Sequence, residues 1–393
     1  MPPAHSSRFG IIAHFDAVVG VRLPGKPKLP GTADRWEQVP QPHLPVRLDR
    51  GSPTKPNEVE VRMKVLLVSA IFESAADFRA VNLQESSETL LASGLRDSGV
   101  DVDVRGHSLR NDWNDFDLVH IHHLANSCVS LFLPQRPRIV FTRHATKAVP
   151  LHHRIVLRRA YTRSDAVIFL SDVERDMAGH LVRGDRGHVI HNGLNGENFP
   201  ASLRRTPVPG QRWKLLYVGQ LIELKRVELA IRLVADLIRQ GYDVELDVVS
   251  HRDTLRSRLT NQASLLGIAD RIVFLGPRTR SDLGQIMARS HILLLPSRTE
   301  ALPTVVTEAA YTGLPVAAFQ VGGISEQLPS STILPEILDY NGFQNQVRGQ
   351  LDDYPNTAQA YFEHSDRVRT DFSTNKMVQE HLNVYNSIIG AGE

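Results

Sequence analysis

The residues with the clearest chemical potential lie in PSRTEALPTVVTEAAYTGLPVAAFQVGGISEQL, positions 296–328. Two carboxylates, Glu300 and Glu308, stand there with seven residues between them. Pro303 falls between them, where a helix would begin. Proline suits the first helical turn because a missing N–H costs nothing there. The start of a helix also presents unpaired N–H groups and the positive end of the peptide dipoles, so it can receive a phosphate. Carboxylates on either side accept hydrogen bonds from sugar and ribose hydroxyls. The pattern therefore points to a phosphate held between two hydroxyl-bearing groups. Taken alone, the same two glutamates equally describe a solvated helix start.

Other chemistries find less support. After the first apolar run, VLLVSA (65–70), the next glycine is Gly94, so no G-x-G-x-x-G turn for a dinucleotide follows, and no G-x-x-x-x-G-K-S/T occurs. His120, His122 and His123 form HIHH at a strand end. Alternation puts the first two on one face and His123 on the other. A zinc site would need further ligands that the sequence does not identify, so no metal ligand set is assigned. Asp101 and Asp103 alternate with Val100, Val102 and Val104, which reads as a strand with one wet face. The single cysteine, Cys128, leaves these 393 residues without an internal disulfide or a Cys-rich zinc site. Lys147, His152, His153, Arg154, Arg158, Arg159 and Arg163 make residues 147–163 basic. That stretch is either a solvated helix face or a contact for anionic lipid, where each such residue adds ~1 kcal/mol.

The elements that must position these residues follow an α/β alternation. The chain is 41% hydrophobic and 22% charged, with 45 Lys+Arg against 43 Asp+Glu and a formal net charge of +2. This is a globular composition with no general pull towards nucleic acid. No apolar run approaches the ~20 residues of a membrane-spanning helix, and the N-terminus lacks a secretory pattern, so a cytoplasmic protein is expected. Residues 1–62 hold 10 of the 23 prolines and no sustained periodicity, and are expected to form a disordered extension. From Met63 short apolar runs alternate with amphipathic stretches: strands near 65–70, 100–104, 118–123, 138–142, 166–171 and 188–192, helices near 81–99, 151–163 and 172–182. The Pro-rich and basic segment FPASLRRTPVPGQR reads as a linker. Beyond it the series restarts, with strands near 213–219, 244–250, 271–276, 291–297 and 314–319 and a helix over 225–241. Two such series predict two facing open sheets, with ligands beyond the strands' carboxyl ends, in the cleft.

The frame PS-x-x-E-x-x-P-x-x-x-x-E-A-x-x-x-G-x-P-V-A followed by GG-x-x-E resembles the donor-domain signature of retaining glycosyltransferase family 4. VGQLIELKRVELAI (218–231), VFLGPRTRSDLGQIMARSHILLLPS (273–297), HVIHNGLNGENFP (188–200) and FSTNKMVQEHLNVYNSII (372–389) are similar to further family segments in the same order. The resemblance implies a GT-B fold: two facing Rossmann-like domains, over 63–200 and 201–371, and a C-terminal helix over 372–393 packing back on the first. It implies an enzyme that moves a sugar from a nucleoside diphosphate sugar to an acceptor hydroxyl, without a metal or other cofactor and with retention of anomeric configuration. Glu300, Lys225 and His144 would serve catalysis: Glu300 touching the transferred sugar, Lys225 neutralising the diphosphate, His144 of FTRHA facing the sugar across the cleft. Glu308 would hold the ribose. Gly219, Gln220, Arg226, Pro277, Leu302, Pro303, Gly322 and Gly323 would complete the donor site, the last two through their backbone N–H groups.

The chain departs from the family pattern in places. Gln220 stands where an arginine often shares the diphosphate, and Arg226 follows Lys225 in place of glycine and would resupply a basic group. Ala301 replaces a glycine, and AIFESAADFRA (70–80) lacks the glycine pair of the first loop. These departures keep open an alternative, a non-catalytic protein that binds a sugar nucleotide or a partner on the same scaffold. An epimerase or hydrolase of GT-B shape would form product with no acceptor added. The base, the sugar, the acceptor and the oligomeric state leave no readable trace.

Overall fold

The computed structural model describes residues 63–72, 86–106, 113–122, 137–144 and 151–390, with the side chains of 151–153 left aside. The Pro-rich extension at 1–62, most of the loop AIFESAADFRA, His123, Cys128 and Lys147 lie outside the described residues. The first α/β series contains β1 (Lys64–Val68), α1 (Ser87–Asp97), β2 (Asp101–Arg105), β3 (Leu118–His122), β4 (Arg138–Arg143), α2 (Leu151–Arg163), β5 (Ala166–Phe169), α3 (Asp172–Ala178) and β6 (Gly187–Val189). Its strands form one parallel sheet in the order β2-β1-β3-β4-β5-β6. The second contains β7 (Trp213–Val218), α4 (Val227–Arg239), β8 (Val244–Val249), α5 (Arg256–Leu265), β9 (Ile272–Gly276), α6 (Arg280–Arg289), β10 (Ile292–Leu295), α7 (Thr304–Thr312) and β11 (Val316–Ala318). These strands are also parallel, in the order β11-β10-β7-β8-β9. Then follow α8 (Tyr340–Asp352), α9 (Tyr354–Asp371) and α10 (Thr374–Gly390). The two-sheet α/β architecture expected from the sequence is the one observed.

The sequence dictates these elements locally. β1 and β5 are apolar runs and β3 is apolar but for His120 and His122, and all three are buried along nearly their whole length, as parallel strands covered on both faces must be. Helix α4, VELAIRLVADLIR, buries Val227, Ala230, Ile231, Val234 and Leu237 at helical spacing, with Leu233 beside them. Each large aliphatic side chain among them contributes about 2 kcal/mol of burial. Asp101 and Asp103 are exposed and Val102 is buried, as the alternation required.

Helix α10 crosses back to the first sheet, where Met377, Val378, Val384, Tyr385 and Ile388 share a core with Val65, Leu67 and Leu91. At the crossing a Cβ on Gly94 would sit 2.4 Å from the Val378 side chain, so α1 and α10 meet through a glycine. The connecting segment around Arg204 is more than a tether. Its buried guanidinium donates to the carbonyls of Met287 and Ser290 at the end of α6 and of Thr312 at the end of α7. Carbonyls in the last turn of a helix lack the donor four residues on, and a cation suits that end of the dipole.

Candidate active site

A cavity of about 630 Å³ opens beyond the carboxyl ends of both sheets. From the second sheet it is lined by Gly219, Gln220, Lys225, Pro277, Arg280, Glu300, Pro303 and Glu308, and from the first by Glu88, His144, Asn192 and Gly193. Most residues read from the sequence thus converge on one space.

Lys225 ends the short turn that follows β7. Its ammonium donates to both oxygens of Glu300, at 2.7 and 3.0 Å, and Glu300 is 8% exposed. An N–H of Arg298 donates to the carbonyl of Leu224 at 2.8 Å, tying the lysine loop to the segment that carries Glu300. The ammonium therefore points into the cavity from a fixed base. Glu308 lies inside α7, buried, and pairs with Arg280 at 2.5 Å. Burial pushes its carboxyl up to about 7, and the neighbouring guanidinium only partly offsets that. Arg280 opens α6 behind the capping box of Thr279 and Asp282, and its guanidinium also lies over the Phe199 ring.

Pro303 is the residue before α7 rather than its first helical residue, with extended backbone at ψ 117°. It still starts the helix, and the N–H groups of Thr304 and Val305 begin the turn that faces the cavity. Buried Gln327 fixes this start by donating to the Pro303 carbonyl at 3.1 Å and to the Thr307 hydroxyl at 2.6 Å. Gln220 lines the cavity with its carbonyl accepting from the Tyr217 hydroxyl at 2.9 Å.

Four expected donor contacts sit elsewhere. Leu302 is buried in the core of the second domain. Arg226 adopts left-handed backbone at φ 51°, with its guanidinium 5.8 Å from the Phe319 ring centroid and 3.7 Å from Glu228, so it does not line the cavity to replace the basic group missing at Gln220. The amide of Gly323 donates to the Ala301 carbonyl at 2.7 Å and is thereby engaged within the protein. Gly322 is glycine for packing: at φ 54°, a Cβ there would lie 2.3 Å from the Glu300 carbonyl oxygen. The glycine pair shapes the glutamate loop instead of lining the cavity.

On the opposite wall, His144 follows β4 and its Nε2 lies 3.0 Å from His122 Nδ1. His120 is fully buried between the Tyr385 hydroxyl and Thr142, each at 2.6 Å. Burial, with the nearby rings of His122, His381 and His144, holds His120 far below the ordinary histidine range. Thr142, two residues before His144, therefore serves His120 and does not line the cavity. Glu326, last of the GG-x-x-E, spans the cleft. It accepts from the N–H groups of Asp172 and Val173 and lies 3.1 Å from His191. Burial opposes its ionisation, but His191 and those two amides outweigh burial and hold its carboxyl below the usual range.

Arg280 and Glu88 escaped the sequence reading. The capping box T-x-x-D at 279–282 marked the helix on which Arg280 stands, though not what it would face.

Two parallel sheets facing one another across such a cavity, with a helix returning to the first, define a GT-B fold. The profile for Glycosyltransferase Family 4 matches residues 104–198 and that for Glycosyl transferases group 1 matches residues 198–331. The chain belongs to this group of glycosyltransferases. It is 25% identical over 301 residues to the D-inositol 3-phosphate glycosyltransferase of Corynebacterium diphtheriae, covering 69% of this chain and 68% of that one. It is 31% identical over 169 residues to an uncharacterized glycosyltransferase of Haemophilus influenzae, covering 42% and 47%. It is 29% identical over 230 residues to the gpi3 subunit of phosphatidylinositol N-acetylglucosaminyltransferase of Schizosaccharomyces pombe, covering 55% and 49%. The chain thus spans about two thirds of the first relative and about half of the other two. Among solved structures, sucrose-phosphate synthase from Thermosynechococcus elongatus superposes with a TM-score of 0.70 at 19% identity, over 84% of this chain and all of that one. HepE of Anabaena, solved with UDP-glucose, superposes at 0.66 and 17% identity, over 83% of this chain and all of that one. No helix among the described residues is long and apolar enough to cross a membrane.

Proposed function

We propose that this glycosyltransferase takes its sugar from a nucleoside diphosphate sugar and passes it to an acceptor hydroxyl with retention, without a divalent ion at the diphosphate. The observation that carries the reading is the convergence of Lys225, Glu300, the start of α7 and the Glu308–Arg280 pair on one cavity. As the glycosidic bond breaks, negative charge grows on the diphosphate. Lys225 and the first N–H groups of α7 stabilise that charge better than the ground state. Glu308 accepts from the ribose hydroxyls, and Arg280 favours its ionised form against the effect of burial. Glu300 orients both the sugar and the lysine, and His144 meets the sugar from the first domain. No side chain in the cavity is needed as a nucleophile: a donor phosphate oxygen takes the acceptor proton on the face the leaving group vacates. Closure of the domains excludes water, and the Glu326 bridge favours the closed arrangement.

Arg154 and Arg158 are exposed on α2 beside Ile155, which is 69% exposed. This supports peripheral contact with an anionic lipid surface, the side from which a lipid-linked acceptor would be presented.

The test is product analysis. The full chain is supplied with a panel of nucleoside diphosphate sugars, UDP-glucose among them, and hydroxyl acceptors, and the anomeric proton of the product is read by NMR. A product with the donor's anomeric configuration, formed in the presence of a chelator, is the expected result. An inverted product, or transfer that stops with the chelator, would sink the mechanism.

A further inference from the structure

One cluster on the first-domain wall has chemistry that sugar transfer leaves unexplained. Glu88 is the second residue of α1, 7% exposed, behind an N-cap in which Ser86 and Thr89 exchange hydrogen bonds. His122 is the last residue of β3, 3% exposed, and His144 follows β4. One potential ligand atom from each of these three residues lies within 4.8 Å of the others. Three segments far apart in sequence thus bring a carboxylate and two imidazoles to one point, and Glu88 and His144 open onto the cavity.

We infer that Glu88, His122 and His144 form a binding site for a divalent transition-metal ion of zinc type, with its open coordination position facing the cleft. Two imidazoles and one carboxylate are a donor set that zinc accepts and magnesium does not favour. Tetrahedral coordination with ligand bonds of ~2.1 Å places ligand atoms roughly 3.4 Å apart. The three atoms need only draw together from within 4.8 Å, a shift within the reach of side-chain torsions. His122 Nδ1 and His144 Nε2 lie 3.0 Å apart in a hydrogen bond, and an ion held between them would displace the shared proton. The site lies across the cavity from Lys225, so the ion has no part in stabilising the diphosphate. Its consequence rests on the reading of His144 given above: an ion that takes the His144 imidazole removes it from the sugar, and transfer stops.

The experiment titrates the metal-stripped full chain, without nucleotide, with Co²⁺ and follows the visible absorption of tetrahedral cobalt. Zn²⁺ competition and a Mg²⁺ control accompany it. One cobalt per chain, displaced by zinc and untouched by magnesium, is expected, with at least tenfold weaker binding in Glu88→Gln. A second variant, His122→Ala, is read the same way, and melting in a chelator establishes that each variant is folded. No stoichiometric spectrum in the wild-type chain overturns the site even if both variants fail to fold. Equal affinity in a folded Glu88→Gln overturns it as well. Transfer is then assayed against zinc. Inhibition that needs at least tenfold more zinc in Glu88→Gln supports the whole inference. Zinc that binds at this site without inhibiting leaves the metal site standing and removes His144 from the sugar.

Discussion

The pair formed by Arg280 and Glu308 offers the sharpest test of how the donor pocket is built. Both side chains are largely buried, 17% and 7% exposed. Removing one partner of a buried pair costs about 3–5 kcal/mol, because the other charge is left without compensation. With its carboxyl at about 7, Glu308 is roughly nine-tenths ionised at pH 8 and roughly one-tenth at pH 6. At pH 6 the pair is mostly a hydrogen bond to a neutral acid, worth about 1–2 kcal/mol. The coupling between Arg280→Met and Glu308→Gln should therefore be about 3 kcal/mol at pH 8 and fall to about 1 kcal/mol at pH 6. Urea unfolding of the wild type, both single variants and the double variant at the two pH values measures it. The sign of the background is also fixed. Burial raises Glu308 from 4.5 to about 7, so between those values the folded chain holds more protons than the unfolded one. Its contribution to stability therefore declines as pH rises through that window, and Glu308→Gln removes the decline. A coupling below 1 kcal/mol at pH 8, or the same coupling at both pH values, would refute the buried ion pair.

Other consequences are equally direct. Lys225→Ala should lower kcat by about 10²–10³-fold, the usual loss for one charge-stabilising donor, while the variant stays folded; steady-state kinetics decides. Binding of a nucleoside, which carries the ribose without a titrating phosphate, should weaken by up to about tenfold from pH 8 to pH 6, because ionised Glu308 is the stronger acceptor for ribose hydroxyls; calorimetry at the two pH values reads it. Gly322→Ala places a Cβ 2.3 Å from the Glu300 carbonyl oxygen at left-handed φ. It should destabilise by about 1–3 kcal/mol and lower kcat through displacement of Glu300, as seen by denaturation and kinetics on one preparation.

The sequence exposed those parts of the site in which local pattern and chemistry coincide. Glu300, Pro303 and Glu308 stand on one loop–helix unit, so their spacing was readable, whereas Lys225, on the turn before α4, was joined to them only through the family resemblance. Residues whose neighbours come from distant segments were not legible. Arg280 reads as an exposed charge in the first turn of α6, and only the packing of α6 against α7 makes it the partner of Glu308. Glu88 reads as a favourable acid at the start of α1. Its approach to His122 and His144 depends on which strand ends lie beside α1. Arg204 looked like part of a Pro-rich linker, yet it fastens the ends of α6 and α7. Arg226 erred in the other direction: adjacency to Lys225 suggested a shared role, and its left-handed backbone turns it towards Phe319 instead.

The central claim is that this cavity holds a nucleoside diphosphate through Lys225 and Glu308. Thermal denaturation of the full chain with UDP, GDP, ADP and dTDP, repeated with Glu308→Ala, tests it most directly. A nucleotide at 100 times its Kd should add ~2.7 kcal/mol of stability. The account predicts a rise in Tm with one of the four that disappears in the variant. A rise that survives Glu308→Ala unchanged, or none with any nucleotide, would contradict it.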